Sequence, residues 1–238
     1  MNNIEVCLSP ALIQTIERAG DKIAVVVDVL RATTAFCAVF DKGAKRIITT
    51  SDLVKAEAMK AQGYKVASER GGLKVGFADF GNSPTEFLKM DLRGQEIVYS
   101  TTNGTKAIDM ATHFKNTLIA CFSNLSAVAK TLSKENEDIV IICSGWKDGY
   151  SLEDALCAGA LTAKLIETGD FITADDASFA QMNLWQHLHG QLKEIVKNGT
   201  HYQRLEKLDK SEDLDYCFDI DTSTSVPMWD GEGLVKQK

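Results

Sequence analysis

The chain is poor in proline: Pro10, Pro84 and Pro227 are the only three in 238 residues. With no Pro/Ser-rich stretch and no low-complexity run, it shows no linker and no boundary between domains. A solenoid-type repeat is also missing. No apolar run approaches the ~20 residues of a membrane span. The opening MNNIEVCLSP has neither the basic nor the apolar region of a signal peptide, so the expected location is cytoplasmic, with no membrane partner. No basic tail or stripe offsets the formal net charge of −7, which argues against a nucleic-acid partner. Cys7, Cys37, Cys121, Cys143, Cys157 and Cys217 carry no CxxC spacing and no neighbouring histidine cluster, which leaves a zinc site without support. Reduced, largely buried thiols are the simplest expectation. The histidines are few and late, at His113, His187, His189 and His201, and are expected on the surface or in packing.

What the chain does have is ordinary globular composition, 45% hydrophobic and 25% charged. Strand-length apolar runs alternate with helical patterns. Expected strands are Ile23–Val29, Arg46–Thr50, Lys65–Ser68, Glu96–Ser100, Thr117–Ala120 and Ile139–Cys143. Expected helices are Ala32–Asp41, Leu53–Ala61, Pro84–Met90, Thr105–His113, Leu125–Ser133 and Leu152–Glu167. This alternation predicts βα units and an α/β fold: a three-layer α/β/α sandwich on a mostly parallel, mixed sheet. Ser83-Pro84-Thr85-Glu86 and Ser151-Leu152-Glu153-Asp154 mark two helix starts by capping chemistry. Past Gly169 the pattern changes. Asp175–Asn198 reads as one longer helix, Leu205–Asp215 as charged and solvated, and Cys217–Ile220 as an edge-like strand. One domain over residues 1–238 is expected, with a helical cap or subdomain at about 171–215 as an option.

Four loops follow predicted strands and carry the unusual residues. IAVVV ends on Asp28, with Arg31 three residues later; ligands of open α/β sheets sit at such carboxyl ends, facing helix N-termini. A structural Asp–Arg pair would look the same. Ser68-Glu69-Arg70-Gly71-Gly72 joins two charges to a glycine pair that allows close backbone approach, or an ordinary turn. Ser100-Thr101-Thr102-Asn103-Gly104-Thr105 offers hydroxyls, N–H groups and a helix start, a suitable anion cradle or simply a capped turn. The fourth loop, Cys143 through Asp154, holds Ser144, Gly145, Lys147 and the acid pair Glu153-Asp154 in a first helical turn. Those acids either complement the helix dipole or, with Asp28 and Glu69, supply oxygen ligands for a divalent cation such as Mg²⁺.

Several mechanisms are excluded. Leu30 stands where a haloacid-dehalogenase-type phosphatase needs its second aspartate. No cysteine is followed by arginine at Cys-x5-Arg spacing, and GxxxxGK[ST], GxGxxG and GxSxG are absent. Metal-assisted attack by water, or a carboxylate nucleophile at Asp28, survive.

VVVDVLRATT (Val25–Thr34), SERGG (Ser68–Gly72), GNSPTEF (Gly81–Phe87), TTNGT (Thr101–Thr105), CSGWKDGYSLEDALCAG (Cys143–Gly159) and DTSTSVP (Asp221–Pro227) together resemble the 2-phosphosulfolactate phosphatase family, and they span nearly the whole chain in family order. The resemblance implies an α/β/α fold and Mg²⁺-dependent hydrolysis of 2-phosphosulfolactate to 3-sulfolactate and phosphate, a step of coenzyme M biosynthesis. Another small carboxylated phosphoester, or non-catalytic anion binding, is the alternative. On this reading Asp28, Glu69, Glu153 and Asp154 hold or orient Mg²⁺. Arg31, Thr102, Asn103, Gly104 and Thr105 bind the phosphoryl group. Arg70, Asn82, Ser144, Gly145 and Lys147 recognise the other anionic arms or order the loops. The expected catalytic group is Asp28, Arg31, Glu69 and Glu153, the partner a small anionic phosphoester, and a homodimer is left open.

Overall fold

The computed structural model describes residues 1–208 and 210–237. It opens with strand β1 (Asn2–Cys7) and two short 3₁₀ turns, then β2 (Ile23–Val27) and α1 (Ala32–Asp41). β3 (Arg46–Thr49), α2 (Leu53–Ala61), β4 (Lys65–Arg70), the two-residue β5 (Leu73–Lys74) and α3 (Pro84–Leu88) follow. Next come β6 (Glu96–Ser100), α4 (Gly104–Ala111), β7 (Asn116–Ala120), α5 (Leu125–Leu132), β8 (Ile139–Cys143) and α6 (Leu152–Glu167). After β9 (Phe171–Thr173) the chain is helical through α7 (Asp176–Leu188), α8 (Leu192–Val196), α9 (Thr200–Glu206) and α10 (Ser211–Cys217). A closing hairpin, β10 (Pro227–Trp229) and β11 (Leu234–Lys236), completes it.

All eleven strands form one mixed sheet in the order β5-β4-β6-β3-β11-β10-β7-β2-β8-β1-β9. Two parallel blocks are visible, β4-β6-β3 and β7-β2-β8-β1-β9. The late hairpin lies antiparallel between them: Met228 pairs with Leu118 of β7, and Leu234 with Ile47 of β3. Helices cover both faces. β2 shows why: Val25 and Val27 enter one core with α5, α6 and the C-terminal helices, whereas Ala24 and Val26 enter the other with α1 and α4. β-branched residues suit such a doubly buried strand. The expected α/β/α architecture on a mostly parallel sheet is what the chain adopts.

Elements with strong end signals lie where the sequence puts them. α1, α2 and α6 match their expected ranges, as do the strands at Glu96–Ser100 and Ile139–Cys143. β2 stops at Val27, two residues early, because Asp28 and Val29 turn to begin the loop. Departures gather elsewhere. β1, β9 and the two hairpin strands have only three to six residues and escaped notice. The expected long helix over Asp175–Asn198 breaks after Leu188, where the chain tightens into a 3₁₀ turn over His189–Gln191 that contains Gly190, a poor helix residue. Leu205–Asp215 is not simply a solvated stretch: Leu205, Asp213 and Leu214 are buried, with charged neighbours on the outer faces of α9 and α10. Cys217–Ile220 is no strand, since Cys217 ends α10. All six cysteines are free and buried, as expected.

Candidate active site

The loops that leave β2, β4 and β6 meet at one end of the sheet. Asp28 organises the first. Its Oδ1 accepts the Ala32 amide at 3.2 Å, Thr33 Oγ1 donates to its carbonyl at 2.8 Å, and Thr34 Oγ1 donates to the Val29 carbonyl at 2.9 Å. Asp28 thus takes one amide of the first turn of α1 and the two threonines tie that turn back to the loop, so the acid and the helix start are built together. Asp28 Oδ2 accepts no hydrogen bond among the described residues. Burial pushes the Asp28 carboxyl up to about 6, reinforced by Glu69 and Glu153 and opposed by His201 and the Ala32 amide.

Glu69, at the end of β4, staples two loops. Its Oε1 accepts the Thr102 amide at 2.9 Å and the Thr102 hydroxyl at 3.1 Å; its Oε2 accepts the Gly72 amide at 2.7 Å. α4 begins just beyond, with Asn103 at its cap making no side-chain capping bond. Gly104 is needed here by space. A Cβ at that position would stand 2.5 Å from Ala32 Cβ and 2.9 Å from Asp28 Oδ2. Thr105 is turned inward, donating through its hydroxyl to the Thr101 carbonyl at 2.8 Å. Between these loops lies a small cleft, with an inner volume of about 50 Å³. Asp28, Arg31, Glu69, Asn82, Thr102 and Asn103 all line it, together with Thr101, Trp146, His201 and Arg204.

The remaining sequence-predicted residues do not line the cleft. Asp154 ties loops together: Oδ1 accepts the Val29 amide at 2.8 Å and Oδ2 the Gly145 amide at 3.0 Å. Burial raises its carboxyl well above the usual range, and Glu153 and Asp28 add to the effect. Glu153 reaches the cleft through a neighbour, its Oε1 accepting from His201 Nδ1 at 2.8 Å. Arg70 spends its guanidinium on the carbonyls of Glu69, Ser100 and Ser51 and on the Ser100 hydroxyl. Ser144 is buried with an unpartnered hydroxyl among the described residues, and Lys147 lies beside the Trp146 ring, 5.7 Å from its centroid. Arg31, which does line the cleft, is buried and paired with Asp213 at 2.5 Å, and its other arm donates to the Gly72 carbonyl at 3.3 Å.

Three cleft residues were missed in the sequence. His201 is buried as a packing residue would be, stacked on Trp146 at 4.6 Å, yet it also lines the cleft. Arg204 lies over the same indole at 4.5 Å. Trp146 itself sat unused within a loop already singled out. His201 and Arg204, three residues apart, share one face of α9, a spacing that could have linked them; nothing in the sequence tied that helix to the sheet end.

Comparison with known proteins decides the family. Residues 7–232 match the model of 2-phosphosulpholactate phosphatase. The chain belongs to this family. A relative from Caldanaerobacter subterraneus subsp. tengcongensis is 36% identical over 211 residues, 87% of each chain. One from Parasynechococcus marenigrum is 36% identical over 225 residues, 92% of this chain and 93% of its own. A third, from Synechocystis, is 35% identical over 218 residues, 89% of this chain and 90% of its own. Each bears the name probable 2-phosphosulfolactate phosphatase. Among the described residues no helix is long and apolar enough to cross a membrane.

Proposed function

We propose that this phosphoric monoester hydrolase cleaves 2-phosphosulfolactate to 3-sulfolactate and phosphate with the help of Mg²⁺, the step that coenzyme M biosynthesis requires. The observation that carries the reading is Asp28. Its carboxylate sits on the cleft floor between the starts of α1 and α4, with Oδ2 unengaged.

The donor set suits magnesium. Among the described residues no three acidic, histidine or cysteine side chains form a metal cage. Mg²⁺ seldom uses one: it is held by one or two carboxylates, with waters and substrate phosphate oxygens completing the shell. Asp28 and Glu69, the two carboxylates that line the cleft, would hold it. When bound, the ion neutralises phosphoryl charge and polarises the phosphorus–oxygen bonds.

The protein's own groups supply the rest. The first turn of α4, with Asn103, donates N–H groups to the phosphoryl oxygens, while Thr102, whose amide and hydroxyl both serve Glu69, holds the loop in place. Arg31, paired with Asp213, lines the same cleft and shapes its wall. His201 is anchored through Nδ1 to Glu153, so Nε2 is the ring nitrogen left to serve the cleft. In its doubly protonated form the ring gives the Nε2 proton to the leaving alkoxide and keeps the Nδ1 proton on Glu153, ending neutral, a role worth typically 10²–10⁴-fold in rate.

Phosphate release from 2-phosphosulfolactate, set beside phospholactate and phosphoglycerate, tests the reading. Turnover of the first, lost with EDTA and restored by Mg²⁺, is expected. Absence of release from all three with Mg²⁺ present would overturn it.

A further inference from the structure

The cleft is lined by two chemically different sets of groups. Asp28, Glu69 and the start of α4 supply acids and amides at the sheet, whereas α9 and Trp146 supply a cation, Arg204. The two arginines of the cleft are not equivalent. Arg31 is buried against Asp213 and its charge is already balanced. Arg204 makes no ion pair with any described carboxylate. One of its terminal nitrogens donates to the Gly71 carbonyl, and its Cζ lies over the Trp146 ring, 4.5 Å from the ring centre. His201 stacks on the same indole, 20° from parallel. An indole under a guanidinium fixes its plane without consuming its charge or its fork of donors. A guanidinium that lines a cleft over an indole, with no ion pair to a described carboxylate, is built to take an oxyanion bidentately.

We infer that Arg204 is a specificity-determining residue that grips an oxyanion arm of the substrate remote from its phosphoryl group. The inference rests on the phosphatase reading above and adds to it how substrate is chosen. The cation selects esters that carry a second anion, sulfonate or carboxylate, over simple phosphomonoesters. Trp146 is the positioning residue that holds the guanidinium flat.

Ligand binding separates this role from a purely structural one. The full-length protein, with Mg²⁺ present, is titrated with 3-sulfolactate and with inorganic phosphate, and the bound fraction is followed by NMR. Arg204→Gln keeps an N–H for the Gly71 carbonyl but removes the charge. Losing one charge-assisted contact should weaken 3-sulfolactate by roughly 10- to 100-fold, while phosphate affinity stays within about twofold of wild type. Arg204→Lys, which retains charge without the planar fork, should fall between the two. Titration with lactate and with 2-hydroxyethanesulfonate then tells which arm is held, since only ligands bearing that arm lose affinity in the variant.

Unchanged 3-sulfolactate binding in Arg204→Gln, or a matching loss for phosphate, would overturn the inference. Because the readout is binding, its failure is distinct from failure of the phosphatase reading, which shows as absent phosphate release by the wild-type protein.

Discussion

Asp28 carries a cost that follows from its position. The unfolded chain releases this proton near the ordinary 3.8, whereas the folded protein holds it to about 6. Between these values the native state binds more protons than the unfolded one, so the contribution of Asp28 to stability falls as pH rises through that window. The loss amounts to about 3 kcal/mol once the group is ionised. Asp28→Asn removes it, because an amide oxygen can still accept from Ala32. In metal-free buffer the variant should therefore melt at or above wild type at pH 8, with the advantage gone below pH 4. Its phosphate release should fall by roughly 10²–10³-fold or more. A variant that melts well below wild type at pH 8 would show that the acid is structural. Gly104→Ala acts on the same carboxylate from the other side. Its Cβ would press on Ala32 and on Asp28 Oδ2. Overpacking of this kind costs about 1–3 kcal/mol, and a displacement near 1 Å at a reacting group can cost about 10²-fold in rate. Turnover should drop far more than thermal stability, which a side-by-side melt and phosphate assay would read.

At the scale of elements, Asp213 fastens α10 to the site. Oδ2 pairs with Arg31, and Oδ1 accepts from the Ser83 hydroxyl at 2.6 Å and the Thr85 hydroxyl at 2.7 Å. One buried carboxylate thus joins the Asp28 loop, the cap of α3 and the C-terminal helices. Asp213→Ala would strand the Arg31 charge in the interior, at about 3–5 kcal/mol. For a chain of this length that lowers the melting temperature by roughly 10 °C. The double variant Arg31→Met, Asp213→Leu should recover most of it, as seen by urea unfolding, because no buried charge then lacks a partner. This network also shows where sequence reading succeeds and where it stops. α1 could be placed residue by residue because its first turn bonds locally to Asp28 and Val29 and its apolar run is unbroken. Asp28, Glu69 and Thr102 stood out because each directly follows a well-marked strand. Asp213 lies in a stretch so rich in charge that solvation is the natural expectation. Its burial depends on partners 128 to 182 residues away, which no local pattern encodes. His201 and Arg204 escaped for the same reason. They reach the cleft only because α9 docks through Tyr202 and Leu205 onto the core shared with β2.

At the scale of the whole molecule, the hairpin β10–β11 makes one sheet of two parallel blocks, and the cleft draws its walls from both: Glu69 and Thr102 follow strands of one block, Asp28 follows a strand of the other. Into that cleft must come a guest with three anionic groups, on a protein whose formal charge is already −7. Asp28, Glu69, Glu153, Asp154 and Asp213 outnumber Arg31, Arg70 and Arg204 around the site. Carboxylates crowded in this way repel one another, which is part of why Asp28 and Asp154 hold their protons. A divalent cation bound at Asp28 and Glu69, as proposed, would relieve that repulsion first and the substrate charge second. Magnesium should therefore stabilise the free protein as well as serve turnover. Binding to the native state alone adds RT ln(1 + [Mg²⁺]/Kd), about 2.7 kcal/mol at a hundredfold excess over Kd. The proton on Asp28 competes with the ion for the same oxygen, so the stabilisation should be full at pH 8 and fade as pH falls through about 6. Melting curves with Mg²⁺ and with EDTA, taken at pH 5 and pH 8, read both effects. A gap of several degrees at pH 8 that closes at pH 5, and that is missing in Asp28→Asn, is the expected result. A magnesium effect of equal size at both values, or one that survives in Asp28→Asn, would move the metal away from this cleft.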